Sequence, residues 1–342
     1  MAARYWVGGT ASWDGTAGTK WALTSGGAGG QAIPGSADDV FLDGASGAVT
    51  ITYAVGATFF NSLLCTGFTG TLVINSGTDF GINGTGNFTL VSGMTFTATG
   101  TTYFGNATGT ILITSAGKSF GATNFSNAGA RTLQDAFVGT GIITLAEGTL
   151  NTNGMSVSCT RLVCSGASTE VLTLGASAIT LTGTGSVLDL SSSALTVNAN
   201  TSTITFSDTS ASSKTFVGGG KTFNNVTITG GGAGTFDITG ANTFNVFTIG
   251  APKTVRFTAA TTSTFTSFVA LGTSGNVITI SSITAATHTL SDASGNNNCT
   301  FLSLTNSIAT GGAIWNARSS TNVSGNTGWN FTSAPGMMAF FD

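Results

Sequence analysis

Phe223, Phe244 and Phe265 follow one another at a fixed interval of 21 residues, each directly behind a Thr (Thr222, Thr243, Thr264). Three positions further on, Val226, Phe247 and Phe268 keep the same interval, and so do Phe236 and Phe257. A repeat of this length marks a solenoid, whose units bury their apolar faces only by stacking on their neighbours. The units are strands. Thr227-Ile228-Thr229, Phe236-Asp237-Ile238-Thr239 and Val277-Ile278-Thr279-Ile280 alternate at period 2 or are β-branched throughout.

Three short strands and three turns fit into one such repeat. Stacked coils then place like residue above like residue every ~4.8 Å. The expected fold is all-β, a right-handed parallel β-helix of roughly 12–13 coils with aromatic caps, and so about 60 Å long. Its core ladder is expected from Phe223, Phe244 and Phe265, from Val226, Phe247 and Phe268, and from Phe236 and Phe257. Charge agrees with this. Only 7% of residues are charged, against about 25% in an ordinary domain, and like charges stacked across a sheet repel. The 50 Gly supply corners that turn without a Cβ penalty. A β-sandwich or jelly roll also uses many short strands; the 21-residue register favours the helix.

The same composition excludes several functions. Ten Lys and Arg in 342 residues make no basic footprint, so no nucleic-acid partner is expected. No run of 18 apolar residues exists, so no helical membrane insertion is expected. One His and 13 acidic residues are a thin stock for acid–base chemistry, and no cofactor is expected. Cys65, Cys159, Cys164 and Cys299 lie in strand-like stretches and are expected as buried free thiols.

Three zones are distinguishable. Residues 1–45 form an expected N-terminal cap or anchor containing Trp6, Trp13 and Trp21. Residues 46–305 form the shaft and lack Trp. Residues 306–342 form a C-terminal cap with Trp315 and Trp329, followed by an apolar tail with Met337, Met338, Phe340 and Phe341. A repetitive shaft offers the same surface at every coil, so unique docking is expected at the ends, where Trp and the apolar tail are interface candidates.

The two ends also carry a resemblance. Tyr5-Trp6-Val7-Gly8-Gly9-Thr10, Trp13-Asp14, Lys20-Trp21 and Pro34-Gly35-Ser36-Ala37-Asp38-Asp39-Val40-Phe41 resemble the opening of repetitive β-rich proteins encoded by tailed bacteriophages and environmental bacteria. Ser324-Gly325-Asn326-Thr327-Gly328-Trp329-Asn330-Phe331 is similar to their closing segment, and Lys221-Thr222-Phe223-Asn224-Asn225-Val226-Thr227-Ile228 to the repeats between. The resemblance implies a non-enzymatic virion structural protein: a fibre, a tailspike or a capsid-surface decoration on head or tail that aids host attachment. Other virion proteins, a homotrimer and a host-surface glycan are the partners expected of it. No apolar leader follows Arg4, which agrees with release by lysis inside a particle and counts against the alternative of a bacterial surface adhesin.

A second alternative is a polysaccharide depolymerase, which needs two carboxylates about 5–9 Å apart. Asp189 with Asp208, and Glu147 with Glu170, have sequence separations near one coil. Asp38, Asp39 and Asp43 form the densest acidic cluster. Without the ligand spacing of a dedicated Ca²⁺ loop, the expectation there is a turn cap after Pro34-Gly35, with bound Ca²⁺ the alternative. His288 is expected on the surface, without a partner.

Overall fold

The computed structural model describes residues 1–16, 18–56, 58–105 and 108–332. Met337, Met338, Phe340 and Phe341 lie outside the described residues. Among those described, the chain forms 40 strands and one 3₁₀ turn, Gly44–Ser46. It is all-β and winds about 13 turns of parallel β-solenoid with stacked aromatic side chains. These turns are divided between two compact units, Met1–Ala178 with Ala194–Asn198, and Ile179–Ser193 with Ala199–Asp342.

In the first unit, one sheet takes Ala3–Trp6, Asp39–Phe41, Ser62–Leu64 and Phe88–Thr89 as successive parallel neighbours. Asp39–Phe41 is therefore paired on both sides, and the ladder runs on past residue 45. A second sheet takes Thr58–Phe60, Asp79–Ile82, Thr101–Gly105, Thr123–Ser126 and Ile142–Leu145 in the same manner. In each strand alternate residues turn inward, as the pleat requires; Phe80 and Ile82, or Thr102 and Phe104, are examples.

In the second unit the ladder forms in register. Phe223 pairs with Phe244, and Phe244 with Phe265. Their rings stack at 5.6 and 5.4 Å between centroids. Phe247 and Phe268 stack alongside at 5.9 Å. Each such side chain contributes about 1.5–3 kcal/mol by burial. Phe236 and Phe257 correct the expectation. Both are buried, but Phe236 pairs with Val255, and Phe257 with Ile238. Coil length differs from sheet to sheet, so an interval that aligns one ladder leaves another two residues out of step. Among the described residues the step between parallel partners runs from 14 residues (Trp315 to Trp329) to 40 (Ala11 to Ile51).

All five Trp lie inside. Trp6 pairs with Trp21 across strands, and Trp13 packs edge-on to Trp21 at 4.8 Å and stacks on Phe60 at 5.5 Å. Trp315 pairs with Trp329, with ring centroids 5.2 Å apart, and packs on Phe268 at 5.6 Å. The Trp6 and Trp315 indoles donate to the carbonyls of Gly9 and Thr310. The four cysteines are buried and form no disulfide; burial pushes Cys159 and Cys299 up to about 12, leaving them as inert thiols.

Three cations also turn inward. The Arg131 guanidinium donates to the carbonyls of Ser126, Asn127, Gly129 and Glu147 at 3.1, 2.9, 2.7 and 2.6 Å. Burial pulls its pKa down to about 10, opposed by the charge of Glu147. Lys214 holds the carbonyls of Ser210 and Ser212, and Lys253 that of Gly231. Each cation supplies donors to backbone carbonyls at the corners of its coil.

Candidate functional site

A notch opens on the outer face of the first unit, over the sheet that carries Thr58–Phe60, Asp79–Ile82, Thr101–Gly105 and Thr123–Ser126. The strands place its parts by register. Phe59 stands opposite Gly81, and Gly81 opposite Tyr103, so the two aromatic residues are two coils apart on one outward column. Two coils span roughly 9.6 Å, yet the ring centroids are 5.5 Å apart and meet edge to face at 72°. The rings lean toward each other over the coil between, which at that point has no side chain.

The next outward column repeats the device with amides. Asn83 follows Ile82, which pairs with Phe104, and the next residue, Gly105, pairs with Ser126. Asn127, next to Ser126, has φ 66°, a left-handed conformation that Asn tolerates. Its Nδ2 donates to Asn83 Oδ1 at 2.8 Å across the two coils. A Cβ on Gly105 would stand 2.7 Å from Asn83 Oδ1 and 3.2 Å from Asn127 Nδ2. At Gly81 a Cβ would meet the Tyr103 carbonyl oxygen even more closely. Glycine in mid-strand packs nothing and weakens the strand, so it marks a place where something must approach closely.

The resulting cavity is about 240 Å³, and none of its lining residues is charged. Phe59, Tyr103, Ser126 and Asn127 are half-buried and Asn83 is exposed. Among the described residues, the hydroxyls of Tyr103 and Ser126 make no hydrogen bond. Burial, followed by the charge of Asp79, raises the Tyr103 hydroxyl above its usual pKa, so it remains a donor at neutral pH. The notch can therefore offer ring faces, amides and neutral hydroxyls within one small volume.

The carboxylates singled out from sequence lie elsewhere. Asp189 ends a strand that pairs with Lys214–Val217, while Asp208 follows Thr203–Phe206, which pairs with Thr222–Ile228 in a different sheet. Asp208 forms an ion pair with Lys214 at 2.6 Å. Hydrogen bonds from Lys214 and then Ser210 hold its carboxyl below the usual range. Glu170 is fully buried and stands opposite Gly148, leaving Glu147 one position out of register; its Oε1 accepts from Gly166 N. Asp38 caps the turn as expected, accepting from Gly35 N at 3.1 Å, and Asp38 N donates to the Gly35 carbonyl. Asp39 accepts from Asn61 and Ser62, and Asp43 caps Gly44–Ser46. Among the described residues no three His, Cys, Asp or Glu side chains are grouped to hold a metal ion.

His288 corrects its expectation, being fully buried. It occupies an inward position of His288–Asp292, in phase with Leu290, and stacks on Phe257 at 5.1 Å. Its Nδ1 is 2.8 Å from Ser282 Oγ, and its Nε2 has no partner. Burial lowers its pKa to about 4.

Sequence reasoning missed the notch, although two signals were present. Phe59-Phe60 and Tyr103-Phe104 are aromatic doublets in period-2 strands, so one ring of each doublet must face outward. Gly81 and Gly105 sit within strands, where glycine has no turn to make.

Fold and site together define the class, a parallel β-solenoid with an uncharged aromatic notch on its outer surface. Comparison with protein families, with curated proteins and with solved structures finds no match.

Proposed function

We propose that the chain is a non-enzymatic structural protein of a bacteriophage particle, set on the head or tail as a fibre, spike or surface decoration and aiding attachment to the host. The observation that carries this reading is the parallel solenoid itself. Within each unit the described turns are hydrogen-bonded to their neighbours and filled by stacked aromatic and aliphatic side chains, which yields a repetitive scaffold whose unfolding is cooperative over several coils. The end segments that resemble phage-encoded β-rich proteins support the same reading. Attachment requires one or more sites on that scaffold that differ from the repeat.

The test is location. Gold-labelled antibody against the chain, applied to particles from an infected culture carrying its gene, is expected to mark the head or tail of intact virions. Unlabelled particles, with all of the chain in the soluble fraction, would refute the proposal. Mass photometry of the purified chain addresses assembly. A mass three times that of the 34.0 kDa chain is expected for a self-sufficient fibre, whereas a monomer restricts the role to a decoration held by its particle. Deleting residues 336–342 and measuring incorporation tests whether the apolar tail docks the protein.

A further inference from the structure

We propose that the notch bounded by Phe59, Tyr103, Asn83 and Asn127 binds one neutral sugar ring of a surface polysaccharide. The inference stands on the notch itself and holds whether or not the chain belongs to a virion.

Four observations converge on that ligand. The first is the half-buried aromatic pair on the outer face. A pyranose has one face made of C–H bonds, and such bonds are drawn to the negative face of an aromatic ring. Phe59 and Tyr103 meet edge to face at 72°, so a flat sugar face can lie on one ring while its edge abuts the other. The second is the polar rim. Asn83 and Asn127 are locked to each other at 2.8 Å, which fixes both amides before any ligand arrives and leaves their remaining donors and acceptors in set directions. A few placed polar groups around an apolar floor are what orient a small ligand. The Tyr103 and Ser126 hydroxyls add groups that donate and accept, as sugar hydroxyls do.

The third is charge. The lining is uncharged, which matches a neutral sugar, whereas a uronic acid would desolvate its carboxylate with no cation to receive it. The fourth is size. Pockets for drug-sized ligands occupy about 300–1,000 Å³; at about 240 Å³ this one takes a single ring. Because the notch is open on its outer side, the rest of a polysaccharide can leave in either direction. Gly105 makes the approach of the two amides possible, since a Cβ there would press on both Asn83 and Asn127, and at Gly81 a Cβ would press on the Tyr103 backbone.

The experiment is saturation-transfer NMR on the full chain with the methyl glycosides of glucose, galactose, mannose and N-acetylglucosamine, and with methyl glucuronide as the acidic probe. At least one neutral glycoside is expected to bind with a millimolar Kd, and Tyr103→Ala to weaken it by about tenfold or more. Ser126→Gln, which fills the notch while keeping both rings, is expected to do the same, so the test survives if Tyr103→Ala folds poorly. Asn245→Ala, which removes an outward amide of the second unit, is expected to leave binding unchanged. The proposal is overturned if none of the four neutral glycosides shows transfer, if binding survives both notch variants, or if methyl glucuronide binds more tightly than its neutral counterpart.

Discussion

The Phe223–Phe244–Phe265 ladder and the Phe59–Tyr103 pair use the same kind of side chain on the same kind of coil, with opposite results. In the ladder every coil contributes a ring at the same register position, the rings stack nearly parallel at 22° and 13°, and water is excluded. In the pair the intervening coil contributes Gly81, the rings close over the gap edge to face, and a cavity remains. Repetition at consecutive coils therefore builds a core, whereas repetition at alternate coils, with glycine between, builds a recess. The inner face derives its worth from uniformity and the outer face from a break in it.

Substitutions distinguish the two faces by size of effect. Phe244→Ala removes the middle ring, which stacks on Phe223 and Phe265 and also touches Phe247. It is expected to cost about 3–5 kcal/mol, read as a shift of the urea midpoint of the second unit's transition. Arg131→Met keeps volume and removes donors from four inward carbonyls; a loss of about 2–4 kcal/mol is expected from the unpaired acceptors. If the variant is as stable as wild type, the corner carbonyls do not depend on the guanidinium.

His288 gives the inner face a pH signature. Its folded pKa, about 4, lies below the ~6.5 of the unfolded chain, so acid favours the state that binds the proton, the unfolded one. Its neutral form costs nothing above about pH 6.5. Stability is expected to fall between there and pH 4, by at most about 3 kcal/mol, and to level off below. His288→Phe, which can still stack on Phe257, should flatten that window in denaturation measured at a series of pH values. Equal slopes for the two proteins would mean that the imidazole protonates without resistance. The smallest effect is expected on the outer face, where Tyr103→Ala should change stability by less than about 1 kcal/mol. A loss as large as that of Phe244→Ala would make the outer pair a structural element in its own right.

How much of this was legible in the sequence follows from the same contrast. Three consecutive coils of equal length repeat their core in equal steps, and Phe223, Phe244 and Phe265 are such a set. Phe236 and Phe257 shared that interval but not the register, because on their sheet Phe236 is followed by Val255 after a shorter coil. His288 was expected on the surface for want of a partner in sequence, although the phase set by Leu290 turns it inward. Arg131 sits two positions before Leu133, and that phase likewise buries it. The notch escaped because its residues are scattered over four successive strands, from Thr58–Phe60 to Thr123–Ser126, and only strand pairing brings them to one place. The carboxylate pairs were chosen by separation alone, which is a poor guide where coil length varies.

The unequal coils have a further consequence. Between one stack and the next, the strands act as a reading frame. One residue added inside a strand would turn every following side chain of that strand to the wrong face, whereas residues added at a corner leave the frame intact. The change from 14 to 40 residues per coil within a single chain shows how much length the corners already absorb. The corners are therefore the places where such a chain can acquire new loops, and with them new surface chemistry, without rewriting its interior.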